Sequence, residues 1–380
     1  MKIAMFSRWP ADPDQPRGGV ESATIGLVRG LSARDDIELH VITLEKDRGD
    51  DVVEETPLAT IHRLAAGKMP MMFDIFGGPG RKKIDQRVRE IGPDVVHFQE
   101  TYGFGGPYPD IPTVFTVHGF DSLNLVTEKN WAWRLRSPLW KMAEKKGIGS
   151  HRHLVSIAPY VTEELETVCD AEITSIPNAI NPQFFEIESR PAEGRVLFAG
   201  WINRRKNIGA AIRAVARLAD EGRKVSLHAA GEFSDDEYLQ EVKGLIDELG
   251  AHSSVSLLGR VSQSVLRDEL SQARVLILPS LQENAPMVIA EAMAAGVPVV
   301  ASDVCGMPTM IDDGQTGYLI KPDGIEGIAD RLSKLLGDDR LHRTMSDAAR
   351  EKARNTYHPD AVVSATLALY EKVRAAYSKS

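Results

Sequence analysis

Short β-branched apolar runs alternate with longer stretches that carry apolar residues at helical spacing along most of the chain. This alternation is typical of βαβ units, in which a buried parallel strand is followed by a covering helix. In the first half, the pattern predicts strands at residues 2–6, 39–43, 95–98, 113–117, 154–157 and 174–176. The chain is therefore expected to begin with a mostly parallel sheet.

The same alternation starts again after a polar, proline-containing stretch at residues 181–194, which we interpret as a domain linker. Strands are then predicted at residues 196–198, 225–229, 255–258, 275–278 and 297–301, with helices at 208–221 and 325–336. Gly222 follows the first of these helices as a C-terminal cap would. We expect two doubly wound α/β halves that face each other across a cleft, with ligands beyond the carboxyl ends of the strands.

Length and composition favour two soluble domains. The 380 residues exceed what one ordinary hydrophobic core supports, and 43% hydrophobic with 26% charged residues is usual for globular proteins. Cys169 and Cys305 stand far apart, which predicts neither a disulfide framework nor a zinc site and favours a reducing compartment. No secretory leader or long apolar run is visible, so a cytoplasmic location is expected. The net charge of −9 argues against general nucleic-acid binding.

The segment at residues 278–302 contains the strongest chemical signal. Its pattern predicts a strand, a polar loop, a short helix that begins near Pro286 and ends before Gly296, and a further strand. The free backbone N–H groups of the first helical turn, around Met287 and Val288, favour an anion such as a phosphate.

Two carboxylates bracket the start of this helix, Glu283 and Glu291, with seven residues between them. Glu291 stands among apolar residues, where an unpaired carboxylate costs several kcal/mol, so a hydrogen-bonding partner is expected. The alternative is a structural one, in which Glu291 caps or pairs with a neighbouring loop and Glu283 is a solvated loop acid.

Three cations, Arg204, Arg205 and Lys206, follow a predicted strand that ends at Gly200 and precede a helix. Two of them could hold a diphosphate, because arginine binds phosphate through two nitrogens and lysine acts as a point charge. A solvated charged surface is the alternative. The position at a strand's carboxyl end, matched by the acidic pair at another strand end, favours the binding role.

In the first half, Gly18 and Gly19 precede a helix predicted from about Glu21, and a glycine pair there lets the backbone approach an anionic ligand. A simple turn is the alternative, and the spacing is not that of a dinucleotide fingerprint. His118 closes a predicted strand and can be a binding residue or a structural one.

Residues 129–146 combine six cations with a single acid, Glu144, and include Trp131, Trp133 and Trp140. Aromatic and cationic residues together favour an anionic membrane interface. The alternative is a helix packed on the first domain with a solvated basic face.

These motifs resemble those of the family 4 retaining glycosyltransferases of the GT-B fold, over nearly the full chain. The resemblance rests mainly on Glu283 and Glu291, which seven residues separate, and on the segment Ala-Met-Ala-Ala-Gly-Val-Pro-Val-Val that follows Glu291. It implies that a sugar is moved from a nucleotide diphosphate sugar, UDP- or GDP-linked, to a saccharide or lipid-linked acceptor in cell-surface polysaccharide or glycolipid synthesis. It also implies retention of anomeric configuration and no required metal or other cofactor.

The resemblance further implies that Glu291 binds the ribose hydroxyls and Glu283 the hydroxyls of the transferred sugar. Arg205 and Lys206 would hold the diphosphate and stabilise the departing phosphate. Further implied contacts come from the N–H groups of Met287 and Val288, from Gly19 near the phosphates or the acceptor, from His118 near the donor sugar, and from Gly259 and Arg260 at the base. Residues 1–183 would form the acceptor-side domain, residues 184–360 the donor-binding domain, and residues 361–380 a helix that returns to the first.

The chain departs from the family pattern at three places. Trp201 replaces a common arginine, Ala285 and Pro286 replace a Phe-Gly pair, and Thr309 replaces a common glutamate. The first change removes a phosphate cation, and the others affect the identity of the donor sugar.

Two other functions stay open at this point. A nucleotide-sugar epimerase of the same fold would convert the donor without an acceptor. A catalytically inactive sugar-nucleotide-binding protein would bind the donor without hydrolysing it.

Overall fold

The computed structural model describes residues 1–46, 48–67, 77–100, 105–120 and 131–377. These residues form two compact units. The first contains residues 1–179 together with the C-terminal residues from 359 onward, and the second contains residues 180–358. Each unit has a sheet and an apolar core of its own.

The sheet of the first unit contains β1 (Lys2–Ser7), β2 (Glu38–Glu45), β3 (Val52–Glu55), β4 (Thr60–Ala65), β5 (Val95–Glu100), β6 (Thr113–Val117), β7 (His153–Ser156) and β8 (Glu172–Ser175). Their order is β3-β4-β2-β1-β5-β6-β7-β8. All neighbouring strands are parallel except β3 and β4. The order reverses between β1 and β5, where doubly wound sheets bind ligands.

The sheet of the second unit contains β9 (Arg195–Ala199), β10 (Ser226–Ala230), β11 (Val255–Gly259), β12 (Val275–Leu278), β13 (Val299–Ser302) and β14 (Gly317–Ile320). The order β11-β10-β9-β12-β13-β14 is the Rossmann arrangement, with all neighbours parallel. Its order reverses between β9 and β12.

The helices are α1 (Gly19–Ser32), α2 (Pro79–Ile91), α3 (Trp131–Gly149), α4 (Pro159–Glu166), α5 (Ile208–Asp220), α6 (Asp236–Glu248), α7 (Gln263–Gln272), α8 (Met287–Ala294), α9 (Met307–Met310), α10 (Ile325–Gly337), α11 (Asp339–Tyr357) and α12 (Pro359–Tyr377). Short 3₁₀ turns occur at Pro182–Phe184, Arg204–Lys206 and Ala251–Ser253. In the described ranges, no helix is both long and apolar enough to cross a membrane.

The predicted strands are confirmed, each within two residues of its observed bounds. Strands β3, β4 and β14 were not predicted. In β4, His62 and Arg63 interrupt the apolar run although both are buried. Arg63 is accommodated because its guanidinium lies 2.5 Å from the Glu45 carboxylate and 3.0 Å from that of Glu54. A paired charge thus occupies a core position that hydrophobic patterning assigns to apolar residues.

The interpretation of residues 181–194 as a linker is wrong. The stretch lies in the second unit, where Phe184 is fully buried in the apolar core and Asn181 donates a side-chain hydrogen bond to Gln263 at 3.0 Å. The chain leaves the first unit after Ala179 and re-enters it at Pro359. The polar composition of the stretch reflects its turns, whereas its aromatic side chains pack inward.

The C-terminal helix α12 packs on α1 in the first unit. Gly30 permits this contact, because a Cβ at that position would lie 2.7 Å from Val363 and 2.9 Å from Pro359. Tyr370 is fully buried between the helix and the sheet. The last helix of the chain is therefore part of the core that begins with β1.

Candidate active site

The candidate site lies at the carboxyl ends of β9 and β12, the strands between which the order of the second sheet reverses. The loop after β9 is hydrogen-bonded to the end of β10 and to the loop that follows it. Gly200 donates its backbone N–H to the Ala230 carbonyl at 3.0 Å, and Ile202 donates to the Glu232 carbonyl at 2.8 Å. At Gly231 a Cβ would fall 1.8 Å from the Gly200 carbonyl oxygen, so only glycine permits this approach.

The loop after β9 leads into the turn Arg204–Lys206, and this turn is hydrogen-bonded to the loop after β12. Leu281 donates its backbone N–H to the Arg205 carbonyl at 2.8 Å. Asn207, in the left-handed region at φ 52°, donates its side-chain amide to the Pro279 carbonyl at 3.1 Å. The two loops therefore form one braced structure at the switch point.

Glu283 forms a buried ion cluster with two of the predicted cations. Its Oε1 lies 2.7 Å from Lys206 Nζ and 3.1 Å from Arg205 NH1, and Arg205 also donates to the Gln282 carbonyl at 2.5 Å. Glu283 and Lys206 are both only 8% exposed. Burial raises the pKa of Glu283, but Lys206 and Arg205 outweigh that effect and hold the pKa below its usual value. The structure thus brings Arg205, Lys206 and Glu283 into direct contact.

Arg204 lies in the same turn but faces another element. Its guanidinium pairs with Glu241 and lies 3.7 Å from Glu237, both on α6, and it sits over the Tyr238 ring at 4.9 Å. This placement separates Arg204 from the cluster of its two neighbours.

Glu291 lies on α8, whose buried residues surround it, and it is 6% exposed. Burial raises the pKa of its carboxyl group to about 7. In the part of the chain that the structure describes, no hydrogen-bonding or ionic partner reaches this carboxylate, whose oxygens keep some contact with solvent, so the expected protein partner is not found. A buried carboxylate without a protein partner is suited to accept hydrogen bonds from a ligand.

The predicted helix between Pro286 and Gly296 is confirmed as α8, with Pro286 as its N-terminal cap and Gly296 at φ 74° after its end. No side chain caps the start, so the first N–H groups, at Met287 and Val288, have no intrahelical acceptor. The loop before the helix is held by the Gly306 N–H, which donates to the Glu283 carbonyl at 2.9 Å.

Gly259 and Arg260 lie farther along the same edge of the sheet. Gly259 ends β11 at φ 68°, and Arg260 is exposed, two strands away from β9. Trp201, which follows Gly200 in the loop after β9, is 60% exposed. The structure therefore places these residues at the carboxyl edge but not in the ion cluster.

The first unit holds Gly19, which is the first residue of α1. The helix starts two residues earlier than predicted, and Glu21 accepts a hydrogen bond from the Arg17 backbone at 2.7 Å. A Cβ at Gly18 would meet nothing within 4 Å, so the space beside this helix start is open.

His118 follows β6, and its Nε2 lies 2.6 Å from Gln99 Oε1. Burial lowers the pKa of His118 to about 4, so the ring is neutral at physiological pH. Gln99 was not predicted as a site residue. It follows His97 by two residues on β5, and so the two side chains share one face of the sheet. The family resemblance also implies polar site positions at His97 and Asp121, and Asp121 lies outside the described residues.

Two family models match the chain in succession. The model described as Glycosyltransferase Family 4 matches residues 17–184, and the model described as Glycosyl transferases group 1 matches residues 180–352. The chain belongs to the family 4 glycosyltransferases. Membership of this enzyme family confirms the resemblance drawn from Glu283 and Glu291, and the fold is the GT-B arrangement of two Rossmann-like units.

Curated relatives of the family differ in activity. The chain is 25% identical to the glycogen synthase of Mycobacterium tuberculosis, over 81% of this chain and 77% of that protein. It is 28% identical to the D-inositol 3-phosphate glycosyltransferase of Corynebacterium diphtheriae, over 93% and 91%. An exopolysaccharide phosphotransferase of Streptomyces coelicolor is 34% identical over 47% of this chain, which spans only 19% of that protein's length.

Solved structures of the same fold cover the whole chain. Sucrose-phosphate synthase from Thermosynechococcus elongatus superposes with a TM-score of 0.80 at 21% identity, covering 99% of both chains. Anabaena HepE in complex with UDP and glucose superposes with a TM-score of 0.71 at 16% identity, covering 98% of this chain and 99% of that one. At these identities the likeness establishes the fold alone.

The two glutamates are expected to affect stability in opposite directions. The folded pKa of Glu291, about 7, lies above its ordinary value of 4.5, so its charge destabilises the folded state as the pH rises through this window. Glu291→Gln should therefore raise the free energy of unfolding at pH 8, by about 3 kcal/mol, and by much less at pH 5. Urea denaturation of the ligand-free protein at both pH values measures the difference.

Glu283→Gln is the matched control, because the same substitution there leaves Lys206 and Arg205 buried without their counter-charge. It should lower the free energy of unfolding at pH 8. Loss of stability at pH 8 in Glu291→Gln would show that the carboxylate has a protein partner after all.

Proposed function

We propose that this protein is a retaining glycosyltransferase that moves a sugar from a nucleotide diphosphate sugar to a saccharide or lipid-linked acceptor. The observation that carries the proposal is Glu291, a buried carboxylate with no protein partner in the described ranges, on the helix that starts beside the Glu283 ion cluster. A carboxylate, two cations and uncapped N–H groups at one sheet edge match the hydroxyl and phosphate groups of such a donor.

Each part of the donor has a proposed partner in the second unit. Glu291 accepts hydrogen bonds from the two ribose hydroxyls, and Arg205 and Lys206 bind the diphosphate. The N–H groups of Met287 and Val288 add donors. Gly259 and Arg260, farther along the edge, contact the base, and Gly19 of the first unit lies near the phosphates or the acceptor. The second unit, residues 180–358, would then be the donor-binding domain and the first unit the acceptor-side domain, where the sequence predicts bounds at residues 183 and 360.

The proposed reaction breaks the bond between the anomeric carbon and the phosphate oxygen and forms a bond to the acceptor hydroxyl oxygen. The acceptor proton passes to the departing nucleoside diphosphate, so attack occurs on the face that the phosphate leaves. Lys206 and Arg205 stabilise the negative charge that develops on the leaving group. Glu283 and His118 position the sugar through its hydroxyls.

The donor is proposed to be UDP- or GDP-linked, and the product a cell-surface polysaccharide or glycolipid. Support comes from Anabaena HepE, whose structure contains UDP and glucose, and from the exopolysaccharide phosphotransferase among the relatives. Of the other two functions, an epimerase would convert the donor with no acceptor, and an inactive binding protein would retain the donor intact. Slow hydrolysis of a bound nucleotide sugar distinguishes the transferase from the binding protein.

Lys206→Ala is expected to lower turnover of the nucleotide sugar by roughly a hundredfold to a thousandfold, because a buried cation at the leaving group is lost. The donor is first identified by thermal stabilisation in a panel of UDP-, GDP- and ADP-sugars, and turnover is then measured as hydrolysis and transfer.

Arg204→Ala is the matched control in the same turn. Arg204 faces α6 and pairs with Glu241 and Glu237, so its removal should leave turnover within about threefold, as for a surface ion pair of small energy. Near-normal turnover in Lys206→Ala would refute the proposed role of the cation.

We also propose that α3 contacts an anionic membrane surface to reach a lipid-linked acceptor. The side chains of Trp131, Trp133 and Trp140 lie outside the described residues, but the last turns of the helix support the proposal. Their exposed face carries Lys141, Lys145, Lys146 and Met142, which is 57% exposed, whereas the acid Glu144 is buried. The outward face is therefore cationic with an apolar side chain, as interfacial helices are.

Sedimentation with liposomes of anionic phospholipid tests this contact. The protein should bind at low salt and dissociate at high salt, and Lys141→Gln with Lys145→Gln should weaken binding roughly thirtyfold, at about 1 kcal/mol per lysine. Lys82→Gln with Lys243→Gln, on exposed positions of other helices, serves as the control and should bind normally. Absence of binding at low salt would sink the proposal.

A further inference from the structure

A continuous chain of buried polar groups runs from the C-terminal helix to His118 within the first unit. Tyr370 Oη lies 2.6 Å from His97 Nδ1, and His97 Nε2 lies 2.7 Å from Thr116 Oγ1 and 3.2 Å from Gln99 Nε2. Gln99 Oε1 then lies 2.6 Å from His118 Nε2. Tyr370 is fully buried, and His97, Thr116 and Gln99 are at most 4% exposed.

Strand geometry brings these groups to one face. His97 and Gln99 are two residues apart on β5, and Thr116 pairs in register with Gln99 on β6, two residues before His118. A small cavity of about 20 Å³ borders the chain and is lined by His97, Gln99, Thr116 and residues of α1 and α12. It is large enough for about one water molecule. This network of hydrogen-bonded side chains therefore lies under α1 and α12, and it ends with His118 at the carboxyl edge of the sheet.

The donors and acceptors assign a proton to each ring. An amide nitrogen only donates, so Gln99 Nε2 requires a lone pair on His97 Nε2, and the single proton of a neutral His97 is on Nδ1, where Tyr370 accepts it. An amide oxygen only accepts, so His118 Nε2 must carry the proton that points to Gln99. Burial lowers the pKa of His97 to about 3 and of His118 to about 4, so both rings are neutral.

We propose that Gln99 is the positioning residue for His118 and that its side-chain amide, which lies between the two rings, holds the His118 ring in the Nε2–H tautomer. If the Gln99 amide were reversed, every proton in the chain would move to the other nitrogen of its ring. The Tyr370 hydroxyl, 273 residues from His97 in sequence, closes the far end of the network, where it can accept from or donate to His97 Nδ1. Only the effect on catalysis rests on the proposed function, in which His118 contacts the transferred sugar.

Nitrogen NMR of the full-length protein with labelled histidines tests the tautomer directly, with His118→Asn used to identify the His118 signals. Wild type should show His118 protonated at Nε2. Gln99→Leu should lower the fraction of His118 protonated at Nε2, and Gln99→Glu, whose carboxylate still accepts, should restore the Nε2 proton. Unchanged signals from the histidines other than His97 and His118 show that the variants are folded. Wild-type His118 protonated at Nδ1, or unchanged in Gln99→Leu, would overturn the proposal.

Tyr370→Phe removes a single buried hydroxyl, and it should change the signals of His97 while His118 stays protonated at Nε2, because Gln99 is intact. Tyr377→Phe removes a hydroxyl from the same helix that does not contact His97, and it should change neither ring. Loss of the His118 Nε2 proton in Tyr370→Phe would refute the assignment of the positioning role to Gln99.

Turnover of the nucleotide sugar supplies the catalytic readout. Gln99→Leu should lower kcat roughly tenfold with little change in KM, because partners that orient a functional histidine contribute about one to two orders of magnitude in activity. Gln99→Glu should recover most of the lost kcat. If wild type turned over no nucleotide sugar, the proposed function would fail, while the histidine spectra would still decide the tautomer. Full kcat in Gln99→Leu with mixed tautomers would refute the positioning role.

Discussion

The ion pairs of Glu283 with Lys206 and Arg205 are the interaction on which the site of the second unit depends. They join the end of β9 to the end of β12, the two strands between which the sheet order reverses. The backbone bond between Leu281 and Arg205 braces the same two loops, so the charges are held on rigid backbone. Neither sign of charge is stable there alone, because a buried ion without its counter-ion is strongly destabilising.

Glu291 stands in contrast to Glu283, although both carboxylates are almost equally buried. Glu283 has two cations and a lowered pKa, and Glu291 has no partner in the described ranges and a pKa raised to about 7. A folded protein keeps an unfavourable buried group of this kind where function requires it. The two residues thus separate a carboxylate that two cations neutralise from one that no partner in the described ranges satisfies.

Much of the fold could be predicted, because buried parallel strands are continuous apolar runs such as β12, and α8 is marked by Pro286 and Gly296. Strand β4 escaped the pattern because Arg63 occupies a core position through ion pairs with Glu45 and Glu54. The motif of Glu283 and Glu291 identified the family, but their different environments could not be predicted. The hydrogen bond between Tyr370 and His97 joins the last helix to an inner strand. It could not be predicted, because local periodicity carries no information on a contact between residues 273 positions apart.

Titration calorimetry of a nucleoside diphosphate and its 2′,3′-dideoxy analogue tests most directly whether Glu291 is the ribose partner. The account predicts that wild type binds the natural diphosphate about tenfold or more tighter than the analogue, as expected for hydrogen bonds to a charged acceptor, and that Glu291→Gln loses most of this difference. Equal affinity of the wild-type protein for the two ligands would contradict the account.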